Sequence, residues 1–406
     1  MIDKKPLQVE EALARVLAGA RPLGRSEHVP LSDALDRTLG ADIVARRTQP
    51  PEDVSAMDGY AVIAADLASP GARLRLIGES AAGHGFAEGV KTGECVRIFT
   101  GAPVPPGADT ILLQEDAIVE NGLIGANEAP EKGRHVRVRG LDFAEGRVGL
   151  AAGTRLSPAH LALAAAMDHA ELCVAMRPRV AIIASGDELA PPGETTSPTQ
   201  IVSSNNFAVA GLVAQAGGEA VDLGIFRDDL VDLARGLQLA RTSGADVIVT
   251  IGGASVGDHD LLRQALSAQG MSLDFWRIAM RPGKPLIFGR LGDAFVLGLP
   301  GNPAASFVCA LLFLAPLIRA LLGDPSAGAD KSEIATLGVD LPANKARRDY
   351  MRAGLARDAA GWLVATPQPL QDSSLLTELV ASQALLIREI GAPAAQAGDP
   401  CRIMRL

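Results

Sequence analysis

Between Arg177 and Gly323 short apolar runs alternate with longer amphipathic stretches, and this alternation limits the possible folds more than any other feature of the chain. RVAIIAS reads as a strand, NNFAVAGLVAQAGG as a helix stopped by glycine, AVDLGIF as a strand and DDLVDLARGLQLARTSG as a helix. ADVIVTIGG is a strand entering a glycine loop and DHDLLRQALSAQG a helix. PLIFGRL and DAFVLGL are strands, and a last helix follows PGNP. Strands joined by helical crossovers pair in parallel, so the pattern predicts a doubly wound, mainly parallel α/β sheet. Ligands of such sheets bind beyond the carboxyl ends of the strands.

The flanking regions differ in character. Residues 7 to 20 read as a helix with Leu13, Val16 and Leu17 on one face. A second short helix is expected from a Ser32 cap to about Gly40. From Ala41 to about Gly140, YAVIAAD, RLRLIGES, CVRIFTG and TILLQED alternate with Gly/Pro turns and predict a β-rich unit. SPAHLALAAAM reads as a helix with Ser157 as N-cap and Pro158 at the first helical position. From about Asp330 short strands return, ending in ALLIREI and CRIMRL, which predicts a small C-terminal β-barrel-like domain. The expected organisation is therefore multidomain, with α/β and β-rich parts. An elongated N-terminal/linker domain spans 1–45 and 145–177, and a β-rich domain spans 46–144. The α/β ligand-binding domain spans 178–327 and the C-terminal β-domain 328–406.

Composition narrows the function. A length of 406 residues suits roughly two to four domains. With 3% aromatic and 48% hydrophobic residues, the cores must be aliphatic. A net charge of −9 with dispersed Lys and Arg disfavours non-specific nucleic-acid binding. Cys95, Cys173, Cys309 and Cys401 form no CxxC pair, so a zinc site or disulfide framework is not indicated and a reducing cytoplasm is expected. The charged, amphipathic N-terminus lacks a signal peptide's apolar middle. The apolar stretch Ser306–Leu322 is short for a membrane span, carries Pro316 and Arg319, and reads as a buried core helix.

The strand ends carry the chemistry. RVAIIAS runs into Ser185, Gly186, Asp187 and Glu188, and ADVIVTIGG into Gly252, Gly253, Ser255, Gly257, Asp258 and Asp260. DAFVLGL runs into Gly301, Asn302 and Ser306. Glycines before a helix N-terminus can cradle an anion, although a tight strand-to-helix turn explains the glycines equally well. Neither GxGxxG nor GxxxxGK[ST] occurs, so a Rossmann or P-loop site is not supported. Asp187, Glu188 and Asp260 suit Mg²⁺ beside a phosphate, with capping and solvated charge as the bland alternative. Asp228 opens a helix and could cap it. Arg281 and Lys284, with Arg277 nearby, sit in the stiff MRPGKPLIFG segment and suit an oxyanion or phosphate. Arg347, Arg348 and Arg352 form a second basic cluster. SAMDGYAV and RIFTGAPVPPGAD hold Asp58 and Thr100, which on local grounds are only turn residues. The histidines are scattered, and no GxSxG elbow is present.

SAMDGYAV, RIFTGAPVPPGAD, GRHVRVRGLDF, SGDEL, the SNN of SSNNFAVAGL, GGASVGDHD, RPGKP and GLPGNP follow one another in the order of a known family. The chain resembles the molybdopterin molybdenumtransferase family, which includes the matching domain of gephyrin, over essentially its whole length. The resemblance implies insertion of molybdate into adenylylated molybdopterin, with Mg²⁺-dependent cleavage of the phosphoanhydride and release of AMP. It further implies an elongated homodimer. The site is then expected between the β-rich second domain of one subunit and the third and fourth domains of the other. A molybdopterin adenylyltransferase and molybdoenzyme acceptors become the expected partners.

Carried over by motif, the catalytic candidates are Asp58, Thr100, Asp142, Glu188, Asp228 and Asp260, with Asp187, Glu188 and Asp260 toward the metal. The substrate-binding candidates from the strand ends are Ser185, Gly186, Asn205, Gly252, Gly253, Ser255, Pro300, Gly301, Asn302 and Ser306. The cationic and C-terminal ones are Arg281, Lys284, Arg347, Arg348 and Ser373. Leu141 stands where many relatives are acidic. Arg277 and Arg281 replace the usual lysines, and PGNPAAS puts Ala305 at the usual serine position with Ser306 following. Two alternatives stay in view: an adenylyltransferase-like enzyme, which would need only the α/β domain, and a non-enzymatic molybdopterin-binding scaffold, which would not need the carboxylates.

Overall fold

The computed structural model describes residues 6–252 and 261–406. Its centre is a six-stranded sheet in the order Glu219–Phe226, Arg179–Ser185, Val247–Ile251, Ala294–Leu299, Pro285–Leu291, Ser272–Arg277. The first four strands are parallel, and the last two add on antiparallel. The edge strand SLDFWR is an addition to the expected pattern. Its alternating burial, unlike the fully buried VAIIAS run, carries a weaker signal. Helices cover both faces. Asn205–Ala216 and the Pro303–Leu321 helical segment pack on one side, and Leu230–Thr242 and Leu261–Ala268 on the other.

Pro303–Leu321 is long and apolar enough to cross a membrane by composition, but Val308, Phe313, Leu317 and Ile318 are fully buried in the main core. A π turn at Ala310–Leu314 interrupts it. The first helix, Val9–Ala18, places Val9, Ala12 and Val16 in this same α/β core. It therefore lies apart from the unit made by the neighbouring N-terminal residues. In that unit Ser26–Pro30 pairs with Glu171–Ala175, and Ile43–Val44 with Val148–Leu150, around Leu39, Phe143, Leu156 and Met167. The helix expected from Ser32 to Gly40 does not form. Only a single turn, Leu31–Asp33, is helical. Asp36 then takes a left-handed φ of 61°, and Thr38 and Leu39 bridge to Arg155 and Val174. Burial of Leu39 against a partner strand outweighs the local helix signal. The helix after Ser157 forms as expected. Ser157 Oγ accepts the His160 N–H, while His160 Nδ1 accepts the Ser157 N–H.

The β-rich unit is a six-stranded sheet ordered Thr110–Leu113, Gly59–Val62, Glu94–Ile98, Leu74–Ser80, Leu123–Ala126, Ala117–Glu120. At the C-terminus Arg348–Arg357, Leu363–Pro367, Glu333–Leu337, Pro400–Arg405 and Ala384–Arg388 pair in turn, and the last pairs back to the first, closing a small barrel. The short strand Met280–Arg281 leaves the α/β unit and pairs in parallel with Arg348 and Asp349. One strand of the barrel is thereby joined to the segment that carries Arg281 and Lys284.

Candidate active site

The carboxyl ends of the central strands open into a cleft of about 1090 Å³, whose far wall is the C-terminal barrel. Ser185, Glu188, Asn205, Asp228, Gly252, Pro300, Gly301 and Asn302 line the α/β side; Arg281 and Lys284 line the floor, and Arg347 and Ser373 the barrel side. Gly252 has φ +92°, and a Cβ there would stand 2.3 Å from the Ser185 carbonyl oxygen, so only glycine lets these two strand ends meet. Asn205 donates from Nδ2 to the Gly301 carbonyl at 2.6 Å, tying the helix start to the PGNP loop. Asn302 Nδ2 donates to Ser373 Oγ at 2.9 Å, and the Ala304 N–H donates to the Ser373 carbonyl at 2.9 Å. These bonds clip the barrel loop to the start of the core helix.

One wall is acidic. Burial, and then the charges of Glu188 and Asp187, push the Asp228 carboxyl above its ordinary range. Asp228 does not cap the following helix. That role falls to Asp229, whose Oδ1 accepts from Val231 and Asp232 N–H groups at 3.0 and 2.9 Å. Asp187 is engaged with the backbone, accepting the Asp228 N–H at 3.3 Å. Among the described residues no three ligating side chains gather closely enough to chelate a metal unaided. A crowded set of carboxylates that holds Asp228's pKa up nevertheless fits Mg²⁺, which takes one or two protein carboxylates and completes its shell with phosphate and water.

The opposite side is basic, and its residues divide. Lys284 and Arg347 face the cleft, and neither has a side-chain ion-pair partner among the described residues. Arg281 also lines it, but its guanidinium is held bidentate by the buried Asp349 of the barrel, with Nε to Oδ1 at 2.9 Å. Arg348 turns the other way, into ion pairs with Glu10 and with Glu389 at 2.6 Å, and is not part of the cleft wall. Arg352 is 2% exposed and donates to the Leu370 and Leu375 carbonyls at 3.2 and 3.1 Å, so it shapes the loop that presents Ser373. Arg277 lies over the Trp276 ring at 3.7 Å. The apparent basic cluster of the sequence is thus one cleft residue, one structural ion pair and one loop anchor.

Ser306 is also turned away. It is 1% exposed, with no hydrogen-bond partner for Oγ among the described residues, whereas Ala305 lines the cleft. Ser306 therefore does not supply the hydroxyl missing at position 305. Gly253, Ser255 and Asp260, together with Asp258 and His259, lie outside the described residues. Cleft residues without a sequence signal of their own include Gln371, Asp372 and Ser374 on the barrel loop and the apolar pair Ile201 and Val202.

Asp58, Thr100 and Asp142 are not on this cleft. In the β-rich unit Asp58 Oδ1 accepts from the Thr100 N–H at 2.8 Å and its hydroxyl at 2.9 Å. These two bonds, the backbone one first, with a smaller contribution from the Arg97 charge, hold the Asp58 carboxyl below its ordinary range. Asp142 lines a separate groove of about 800 Å³ with Arg137, Glu52 and Gly101.

Fold and cleft together define a class: a multidomain protein with a cleft lined by carboxylates and cations between a doubly wound domain and a β-barrel, and a second polar cluster on a separate β-rich unit. Residues 7–167 match the family model "MoeA N-terminal region (domain I and II)", residues 181–320 "Probable molybdopterin binding domain" and residues 335–406 "MoeA C-terminal region (domain IV)". The chain is 32% identical to the molybdopterin molybdenumtransferase of Haemophilus influenzae, covering 94% of each chain. It is 33% identical to that of Bacillus subtilis, covering 100% of this chain and 95% of the relative. The crystal structure of the molybdopterin biosynthesis MoeA protein from Pyrococcus horikoshii superposes with a TM-score of 0.82 at 30% identity, over 99% of both chains. The chain belongs to the molybdopterin molybdenumtransferase family.

Proposed function

We propose that this protein inserts molybdenum from molybdate into adenylylated molybdopterin, with hydrolysis of the phosphoanhydride and release of AMP, as the last step of molybdenum-cofactor synthesis in the cytoplasm. The observation that carries the reading is the pairing, across one cleft, of the carboxylates Glu188 and Asp228 with the cations Lys284 and Arg347. A nucleotide-linked substrate and a tetrahedral oxyanion require both signs of charge in one place.

Lys284 and Arg347 would hold the oxyanion and the phosphates, with Arg281 beside them already oriented by Asp349. The Gly252 turn and the PGNP loop would let the substrate phosphates approach backbone N–H groups. Glu188, with Asp187 beside it in the chain and Asp260 from the GGASVGDHD motif, would hold Mg²⁺. When bound, Mg²⁺ neutralises phosphate charge and stabilises the leaving AMP. Asp228, on the same wall of the cleft, would accept a proton from the attacking water. The Asn302–Ser373 clip would keep the barrel loop over the cleft and limit water around the molybdate.

Asp58, Thr100 and Asp142 would complete this site from the second subunit of a homodimer, since none of them lines the cleft of their own chain. The pterin would be delivered by a molybdopterin adenylyltransferase, and the finished cofactor would pass to molybdoenzyme acceptors. The deciding experiment measures AMP release from adenylylated molybdopterin with Mg²⁺, with and without molybdate. Molybdate-dependent release that stops with EDTA, and molybdenum retained on the pterin, are expected. Tight pterin binding without release would make the protein a carrier instead.

A further inference from the structure

On the β-rich unit one arginine is built into the surroundings of Asp58 more firmly than a surface charge would be. Arg97 is the direct cross-strand partner of Tyr60. Its guanidinium carbon stands 5.0 Å from the Tyr60 ring centroid and 5.1 Å from that of Phe99, so the planar cation is flanked by two aromatic rings. Both of its terminal nitrogens are engaged. Nη1 donates to the Gly59 carbonyl at 3.1 Å and Nη2 to Gln114 Oε1 at 2.7 Å. Each of those partners adjoins Asp58: Gly59 follows it in the chain, and the Gln114 N–H donates to the Asp58 carbonyl at 3.3 Å.

The local sequence explains why the arrangement is tight. A Cβ at Gly59 would stand 2.0 Å from the Leu112 carbonyl oxygen, so glycine is what lets the central strand lie this close to its neighbour. Asp58 immediately precedes one strand and Phe99 immediately follows the other, and the Gly59–Ile98 and Tyr60–Arg97 register brings these two strand ends together. Thr100, immediately after Phe99, then donates twice to Asp58 Oδ1.

We propose that Arg97 is a positioning residue for the Asp58–Thr100 pair, fixing the direction in which the Asp58 carboxylate is offered to the substrate. The proposal rests on the assignment of Asp58 to the reaction. Two separable functions follow from the geometry. The fork, bonded to Gly59 and Gln114, fixes the backbone on either side of Asp58. The positive charge helps to keep Asp58 ionised. Arg97 acts on Asp58 through space by its positive charge, and the neighbouring Glu115 is engaged with Gln114 Nε2 at 3.2 Å.

The test uses the full-length protein and the molybdate-dependent release assay across a pH range. Asp58→Asn comes first; if it retains full turnover, Asp58 is not in the reaction and the underlying reading fails. With Asp58 essential, Arg97→Lys keeps charge but loses the fork. It is expected to lower kcat roughly ten- to a hundredfold, with the molybdate KM and the acid limb of the pH profile unmoved. Arg97→Gln loses both, and should lower kcat and also shift the acid limb to higher pH. If either substitution disrupts folding, Gln114→Ala, which removes one partner of the fork, and Phe99→Leu, which removes one ring, take its place with smaller losses of the same kind. Full activity in Arg97→Gln, or a loss of kcat that Arg97→Lys fully restores without any movement of the acid limb in Arg97→Gln, would overturn the proposal.

Discussion

Asp228 and Ser306 show how one residue's surroundings decide what its identity leaves open. Asp228 has a raised pKa because burial and two neighbouring carboxylates disfavour its charge. The folded state therefore holds that proton more tightly than the unfolded chain does. Its ionisation costs stability, and the cost grows as the pH rises from the ordinary value of 3.8 through the higher folded value. Asp228→Asn removes this pH dependence. It is expected to abolish turnover while leaving the Tm of the ligand-free protein at neutral pH unchanged or higher. A lower Tm together with lost activity would mean that Asp228 is structural. Ser306 presents the opposite case, a buried hydroxyl with no partner among the described residues. Ser306→Ala should stabilise the protein by about 1 kcal/mol, the desolvation cost less a small packing loss, without changing activity. Denaturant midpoints measure it, and destabilisation would reveal a hydrogen bond to Ser306.

At the scale of elements, the parallel-sheet strands and their helices were legible because continuous apolar runs and helical periodicity reinforce one another. The Ser32–Gly40 segment was not, because strand pairing of Thr38 and Leu39 overrides a local cap signal. The Met280–Arg281 strand is the element on which cleft geometry turns. It joins the α/β unit to the barrel through backbone pairing and through the Arg281–Asp349 ion pair. Arg281→Ala would strand a buried carboxylate, so it should weaken molybdate binding and also cost about 1–3 kcal/mol of stability, the lower end applying because Arg281 is itself largely exposed. Adding Asp349→Asn should recover most of the stability and none of the molybdate affinity. Recovery of both would make Arg281 a structural clip only.

For the whole molecule the main question is where Asp58, Thr100 and Asp142 meet the cleft. The motifs group them with Glu188 and Asp228, yet within a chain they lie off the cleft that Glu188 and Asp228 line. A site shared between subunits makes a complementation prediction. Asp58→Asn and Glu188→Gln proteins, each inactive alone, should regain roughly a quarter of wild-type turnover when co-folded, because half the dimers are mixed and each mixed dimer holds one intact site. No recovery in a verified mixed dimer would place all of these residues on one chain's site.

The sequence by itself determined the sheet type, the barrel at the C-terminus, the family and many of the cleft's polar residues, because strand ends in a doubly wound sheet converge and their glycine, carboxylate and PGNP segments can be read locally. Tertiary structure decided how neighbouring, chemically similar side chains divide. Arg347 faces the cleft while Arg348 pairs with Glu10 and Glu389 and Arg352 anchors a loop; Ala305 faces the cleft while Ser306 is buried; Asp229 caps a helix while Asp228 is left to the site. Residues one apart in a chain point in different directions, and which direction meets the cleft depends on contacts with elements hundreds of residues away, such as Glu10 and Arg348.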